Sequence, residues 1–549
     1  MKTEKQRYGD AETYDYVVVG AGSAGSALAS RLTESGKYTV LLLEAGGPDR
    51  SPWIHIPIGY GKIFHDAAVN WKYVTEPSAG LNNQRTYWPR GKVLGGSSSI
   101  NAMVHVRGHP RDYAEWNAAA PGWDWADVEP VFRRLEDWDG PAGETRGIGG
   151  PIAVHDVSKE VHPLTRSYLE AAEQAGLGIC ADYNSGDMDG AACYQIATKD
   201  GFRSSAARGY LRPAKKRENL DVQTRAHVTR VLLQDRRAVG VEYRRRGQVK
   251  VAHARAEVVL CGGAINSPQL LQLSGIGPGN ILQEHAIPVV HDVANVGRNL
   301  TDHLGSDLYF RALVPTLNQQ LRPLLGKLKV GLRYLLTRKG PLSLSLNQGG
   351  GFVRLSEQSD GPDLQLYFSP VSYTRAPVGV RPLMSPDPFP GFLLGFNPCK
   401  PTSTGHLQIQ SPNPMDAPLL FANYLDTDHD RSVMLKGVRL LRRIAGMPAL
   451  QAAIETEFLP GPGVESDEDI AAYLRETSWS VFHQCSTCRM GSDAATSVVD
   501  ARLKVYGIDG LRVADASIFP TIPTGNTNAP AIMVGERASD LILQDAKGQ

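Results

Sequence analysis

The most informative hydrophobic pattern lies between Tyr14 and Ala45. DYVVV (Asp15–Val19) is a β-branched run with strand character. GAGSAG follows, with Gly20, Gly22 and Gly25 at G-x-G-x-x-G spacing, and Ala27, Leu28, Ala29, Arg31 and Leu32 continue as a helix. Thr39 to Leu43 predicts a second strand, ended by Glu44, which completes a β-α-β unit. Further strands are expected at 220–224, 229–233, 239–244 and 251–260. Ser267 as N-cap and Pro268 in a first turn predict a helix beginning there. Leu511 to Ala514 reads as one more strand closing on Asp515, so the first domain is expected to be assembled from discontinuous pieces.

Between these elements the pattern is irregular or one-sided. Gly140 to Pro151 is glycine-rich and reads as a surface loop. Ser369 to Phe392 carries Pro370, Pro377, Pro382, Pro386, Pro388 and Pro390, the mark of a lid, a binding loop or a disordered excursion. Residues 311–340 hold Arg311, Arg322, Lys327, Lys329, Arg333, Arg338 and Lys339 with no Asp or Glu. There Leu324, Leu328, Leu332 and Leu335 share a helical face. One reading is a basic amphipathic helix in weak peripheral contact with an anionic membrane, on its inner face. The other, which is the expectation, is a domain-surface helix with its leucines in the core.

Composition narrows the class. A chain of 549 residues exceeds the ~250–300 at which single cores stop growing, so at least two intertwined domains are expected. A hydrophobic fraction of 42% with 21% charged residues excludes disordered, collagen-like and disulfide-scaffold proteins. Lys+Arg of 58 against Asp+Glu of 57 leaves no basic field to hold nucleic acid. The polar start MKTEKQRYGDAETYDY lacks the apolar core of a secretory signal, and no stretch is long and apolar enough for a spanning helix. Six scattered cysteines fit a reducing compartment. A soluble cytoplasmic enzyme is the expectation.

The glycine turn carries specific chemistry. Gly20 permits the tight strand-to-helix turn, Gly22 lets backbone approach a pyrophosphate, and Gly25 lets helix and strand pack closely. The helix N-terminus then turns its partial positive charge on the phosphates. Glu44 can accept hydrogen bonds from ribose hydroxyls. Dinucleotide binding is implied, the alternative being a glycine-rich turn in an unrelated α/β fold. The motif does not separate FAD from NAD.

Five longer motifs go further: YWPRGKVLGGSSSINAMVHVRGHPRDY (Tyr87–Tyr113), GGAINSPQLLQLSGIG (Gly262–Gly277), DVANVGRNLTDH (Asp292–His303), FHQCSTCRMG (Phe482–Gly491) and RVADASIFPTIPTGNTNAPAIMVGERASDLI (Arg512–Ile542). In type and order, over nearly the whole chain, they resemble the glucose–methanol–choline (GMC) oxidoreductases. IHIPIG (Ile54–Gly59) and NWKY (Asn70–Tyr73) are similar to the bacterial alcohol and choline dehydrogenase-like members. The resemblance implies an α/β chain (α+β overall) with a Rossmann-like FAD domain, 13–310 completed by 499–549. It implies a substrate domain, 311–498, built on an antiparallel sheet flanked by helices. The C-terminal family region, 400–540, would carry the catalytic His and Asn.

By the same resemblance His483 is the general base that takes the hydroxyl proton while hydride leaves the carbon for flavin N5. Asn526 matches the partner position, with Asn528 the competing candidate. The alternative is that both amides only cap the following helix and hold the flavin. Gly20, Gly22, Ser23, Ala24, Gly25, Glu44 and Ala45 would hold the ADP half, and Val228 would lie near adenine. Gly95, Ser97, Asn101, Ala102, Met103 and Val104 would lie beside the isoalloxazine, with Trp71 and Leu94 as further cofactor contacts. Asp515 and Ala516, with Asn526, Thr527 and Asn528, would line the pyrophosphate and ribityl side. Ile100 stands where some members attach FAD through a histidine, which implies a non-covalent flavin. His105, Phe482, Gln484 and Ser486 depart from common family residues and bear on substrate identity. Cys485 and Cys488 form a C-x-x-C without the second pair that zinc would need, so packing is expected and no metal; a redox disulfide is the other option. His303, His55 and His65 read as structural.

The implied activity is FAD-dependent oxidation of a small alcohol to an aldehyde or ketone, with electrons passed to a quinone, a redox protein or O₂. An O₂-using oxidase and, from another class, an FAD-containing hydroxynitrile lyase are the alternatives; an NAD-dependent dehydrogenase fits the second half of the chain poorly. The substrate pocket is expected mainly from residues 311–480. Alkanols, polyols, aromatic alcohols and choline-like amino alcohols all remain open. A choline-like cation calls for an aromatic cage or a carboxylate, and neither stands out as a motif. The oligomeric state is open.

Overall fold

The computed structural model describes residues 12–141, 143–374 and 385–547. The start of the chain and the middle of the proline-rich segment, 375–384, lie outside the described residues. The first sheet contains β1 (Glu12–Val19), β2 (Val40–Glu44), β3 (Leu220–Thr224), β4 (Ala226–Gln234), β5 (Arg237–Arg245) and β6 (Gln248–Leu260), in the order β3-β2-β1-β6-β5-β4. β1 runs parallel to both neighbours, with Val18 beside Leu42 and beside Val259. Its second half and all of β2 are buried on both faces, which is why they read as unbroken apolar runs rather than alternations. Helix α1 (Ser23–Leu32) follows the glycine turn.

Beyond its pairing with β5, the end of β6 takes a short strand from far along the chain, Leu511–Val513. The C-terminal helix, Asn528–Asp545, then packs on α1 so closely that a Cβ on Gly535 would stand 2.3 Å from the Ala24 carbonyl. Arg31 and Arg134 both pair with its buried Glu536. The expected return of the chain to the first sheet is therefore seen.

Helix α2 spans Gly263–Leu273, starting four residues before the expected Ser267 cap. Ser267 is instead inside the helix, where its Oγ accepts from Gly262 N–H (3.0 Å) and donates to Asp515 (2.6 Å). Pro268 is tolerated mid-helix because Thr487 Oγ1 donates to the Ala264 carbonyl (2.7 Å), the acceptor that proline leaves without an N–H.

The second sheet is antiparallel. It uses β7 (Leu304–Ala312), β8 (Gly349–Val353), β9 (Leu364–Ser369), β10 (Gly391–Pro398) and β11 (Ile454–Leu459), in the order β8-β9-β10-β7-β11. Period-two alternation sorts its faces. Leu308, Phe310, Leu364, Leu366, Phe368, Phe392 and Leu394 enter one hydrophobic core. Asp307, Tyr309, Tyr367 and Leu393 face a cavity between the sheet and the glycine-rich segments.

Helix α3 (Leu324–Thr337) contradicts the expectation of leucines in the core. Its six leucines are exposed, and Val330 and Tyr334 alone are fully buried in it. The helix rests on its valine–tyrosine side. No helix among the described residues is long and apolar enough to cross a membrane.

Candidate active site

A cavity of about 840 Å³ joins the two sheets. At one end stands the glycine turn. Gly20 has φ +103°, and a Cβ there would meet the Cys261 carbonyl at 2.4 Å. Gly22 caps α1 without a side chain, so the first N–H groups of the helix are turned on the cavity with no capping oxygen. A Cβ on Gly96, at φ +53°, would stand 2.7 Å from Gly22 Cα, so two bare backbones meet there. That arrangement suits a pyrophosphate.

Glu44 lies at the end of β2 and is buried. Its carboxylate accepts from Ala21 N–H (3.0 Å) and Gly46 N–H (2.7 Å), and burial raises its pKa to about 7. Lone pairs remain for ribose hydroxyls on the cavity side. Asp515 accepts from the N–H groups of Gly263 and Ser517 (both 2.8 Å), tying the last strand to the start of α2. The residues present fit a flavin dinucleotide: an anion cradle, a ribose acceptor and an elongated apolar wall in one cavity.

Of the residues singled out in the sequence, Gly20, Gly22, Ser23, Ala24, Glu44, Ala45, Trp71, Ser97, Asn101, Ala102, Met103, Val104, Val228, Asp515, Ala516, Asn526, Thr527 and Asn528 line this cavity, as does Ile100. Three do not. Gly25 stands behind it, where a Cβ would meet the Gly20 carbonyl at 1.9 Å, so its service is helix packing. Leu94 and Gly95 brace the wall from behind through Leu94 N–H to the Gly47 carbonyl (3.0 Å) and Gly95 N–H to the Ala21 carbonyl (2.7 Å). His105 is also withdrawn: it is buried against Glu136 (3.6 Å), beside Arg107 and Arg146, which corrects its expected bearing on substrate identity.

His483 and Asn526 meet on the cavity wall, with Nε2 of the imidazole 3.0 Å from Asn526 Nδ2. The network fixes the proton positions. His303 Nε2 lies 3.0 Å from the Cys399 carbonyl, which can only accept, so that nitrogen carries a proton. Burial pulls the His303 pKa down to about 4, which leaves its Nδ1 bare at neutral pH. His483 Nδ1, 2.9 Å away, must then donate to it. The lone pair of His483 is thereby placed on Nε2, facing the cavity. Asn526 is oriented to match, because Gln365 Nε2 donates to its Oδ1 (3.0 Å) and its Nδ2 is left to point at His483. Neither amide caps the C-terminal helix: Thr527 is its N-cap without a side-chain bond, and Asn528 accepts from Ser23 Oγ (2.8 Å).

Burial, with His303 and Arg90 nearby, holds the His483 pKa well below the ordinary imidazole value. Asp302 fixes the loop around it, accepting from His483 N–H (2.8 Å), Ser480 Oγ (2.6 Å), Gln484 Nε2 (2.8 Å) and the Tyr424 hydroxyl. Arg90 donates to the Phe482 carbonyl. Phe482 and Ser486 adopt left-handed backbone at φ +70° and +74°, unusual for residues with side chains. His303, expected to be merely structural, instead sets the proton on His483, and Asp302, Arg90 and Gln365 had no expected part; His303 and Asp302 end a motif already noticed, but their service depends on contacts with residues 480–484. Cys485 and Cys488 are buried free thiols.

The far side of the cavity draws on more than residues 311–480. Tyr60, Phe64, Arg90, Asp307 and Tyr309 join Tyr367, Tyr373, Asp387, Glu476, Trp479 and Phe482. Aromatic rings and carboxylates, neither visible as a motif, thus line the same cavity.

Comparison with known proteins agrees with this geometry. Family models described as GMC oxidoreductase match residues 14–305 and 401–535. The chain is 40% identical to an alcohol dehydrogenase [acceptor] of Pseudomonas putida, over 97% of this chain and 96% of the relative. It is also 40% identical to an oxygen-dependent choline dehydrogenase of Vibrio vulnificus, over 96% and 94%. Among solved structures, an Aspergillus oryzae formate oxidase variant studied for FAD modification superposes with a TM-score of 0.92 at 26% identity, covering 98% of this chain and 99% of that one.

Proposed function

The chain belongs to the GMC oxidoreductase family and is an FAD-dependent oxidoreductase acting on CH–OH donors; from that premise we propose that His483 is its general base, Asn526 its substrate-orienting amide and a quinone-type molecule its electron acceptor. The observation that carries the assignment is the bare Nε2 of His483, set by His303 and opening with Asn526 on the cavity that also holds the glycine cradle. When bound, FAD supplies the two-electron acceptor for hydride from the carbinol carbon. The protein supplies the rest. Nε2 takes the hydroxyl proton, and the depressed pKa keeps it free to do so. Asn526 Nδ2 donates to the substrate oxygen without competing as a base. Arg90 and Asp302 hold the loop that aims the imidazole.

Several features support the finer points. Ile100, an apolar residue lining the cavity, supports a flavin held without a covalent bond. The free cysteines support a cytoplasmic setting. The name of the Pseudomonas relative supports an acceptor other than O₂, while that of the Vibrio relative supports the oxidase alternative. Asp307, Asp387 and Glu476 among aromatic rings favour a second reading of the substrate, a cationic amino alcohol rather than a plain alkanol.

The test is anaerobic reduction of the yellow holoprotein by a panel of alcohols that includes choline and primary alkanols. His483→Ala should slow bleaching by about 10²–10⁴-fold. Because the folded pKa is depressed, the wild-type rate should hold constant down through pH 6.5 and fall only well below it. Unchanged reduction in the alanine variant refutes the base. Rapid reoxidation by air with peroxide release refutes the quinone-type acceptor.

A further inference from the structure

Six leucines of α3, at 324, 325, 328, 332, 335 and 336, are between 59% and 80% exposed. At about 100° per residue they fall within one arc of about 120°. Lys329 and Arg333 border one edge of that arc and Lys327 the other, while Arg322 and Lys339 flank the helix ends; Arg338, past the last turn, is turned back over the Phe202 and Tyr334 rings. The opposite side is fastened to the protein by buried Val330 and by Tyr334, whose hydroxyl donates to the Gly201 carbonyl (2.8 Å). Residues 311–340 contain no acidic side chain, although the chain as a whole is nearly neutral. An apolar arc rimmed on both sides by cations matches the boundary between acyl chains and anionic headgroups. At 14 residues the helix is too short to span the ~20 residues of a bilayer crossing, so it can only lie along the surface.

We propose that α3 seats this enzyme peripherally on a bilayer rich in anionic lipid, its leucines among the acyl chains and its lysines and arginines at the phosphates. The face it uses is tied to the cavity wall. Arg322 Nη1 donates to the Pro386 carbonyl (2.6 Å), and Asn318 Nδ2 to the carbonyls of Ser372 (3.0 Å) and Asp387 (3.3 Å). Asp387 and Tyr373 line the cavity. Docking therefore places the bilayer beside a segment of the substrate wall. The docking rests on the helix alone; its link to catalysis rests on the function proposed above.

The experiment is flotation of the full-length holoprotein with vesicles of phosphatidylcholine, with and without phosphatidylglycerol. Binding is expected to the anionic vesicles only, and to weaken as salt rises. Leu328→Glu with Leu332→Glu should abolish it. Lys327→Gln, Lys329→Gln and Arg333→Gln together should weaken it by about 100-fold, at about fivefold per cation. Because these side chains are exposed, the variants should keep their flavin absorbance and their activity with a water-soluble alcohol and dye. No flotation at low salt, or flotation unchanged by the leucine substitutions, overturns the proposal. So does a wild-type dimer in solution that the leucine substitutions convert to monomers while vesicles bind neither form. Failure of His483→Ala to slow flavin reduction leaves the vesicle result standing, so the two readings fail separately.

Discussion

Replacing His303 tests whether the proton arrangement around His483 has been read correctly. His303 accepts from His483 Nδ1–H at 2.9 Å and touches no wall of the cavity. In the resting protein this is a neutral hydrogen bond, worth about 0.5–1.5 kcal/mol. As His483 gains a proton on Nε2 the donor becomes cationic, and such bonds are worth about 1.5–3 kcal/mol. The difference of about 1–1.5 kcal/mol is stabilisation present only while the proton moves, or about five- to thirteenfold in rate. His303→Leu should lose at least that much. It also removes one of two locks on the tautomer, the other being Gln365, which keeps Asn526 from offering its oxygen to His483. His303→Gln restores an acceptor toward His483 and a donor toward the Cys399 carbonyl, and should return to within about threefold of wild type on the same scale. The assay is stopped-flow flavin reduction without oxygen, at saturating alcohol, on variants matched for flavin content. Full-speed reduction by His303→Leu refutes the reasoning, and so does a glutamine variant as slow as the leucine one.

Two further outcomes follow from the cofactor cradle and the helix beside it. Glu44 has a pKa raised to about 7, and its charged form is the better acceptor for ribose hydroxyls, so FAD affinity of flavin-stripped protein should fall as pH drops below 7; Glu44→Gln should flatten that dependence, as read by quenching of flavin fluorescence. Thr487→Val leaves the Ala264 carbonyl without a partner opposite Pro268 and should cost about 1–3 kcal/mol, whereas Thr487→Ser should not, as measured by denaturant unfolding of the holoprotein.

Much of the first sheet was legible because its strands are local apolar runs between glycine and polar breaks. The residues before the glycine turn and those of 220–260 needed no distant partner to declare themselves. Helix α2 was misplaced because Ser267 and Pro268 obey local capping rules that Asp515 and Thr487, more than 200 residues away, override. The leucines of α3 were misassigned for a related reason: helical periodicity marks an apolar face but does not say what lies against it. His483 and Asn526 were reached through motifs, yet the hydrogen bonds that set their protons come from residues 303, 365 and 399, which only the folded chain brings beside them. The aromatic and acidic lining was hidden because strands, helices and loops far apart in the sequence contribute one or two residues each.

The strand Leu511–Val513 beside β6 and the helix Asn528–Asp545 against α1 have a consequence for biosynthesis. The glycine turn is synthesised about 500 residues before the strand and helix that form the floor beneath it. Flavin capture is therefore expected only after Asp545 has left the ribosome, and a stop codon shortly before Leu511 should yield a colourless product even though every residue of the nucleotide fingerprint had been made.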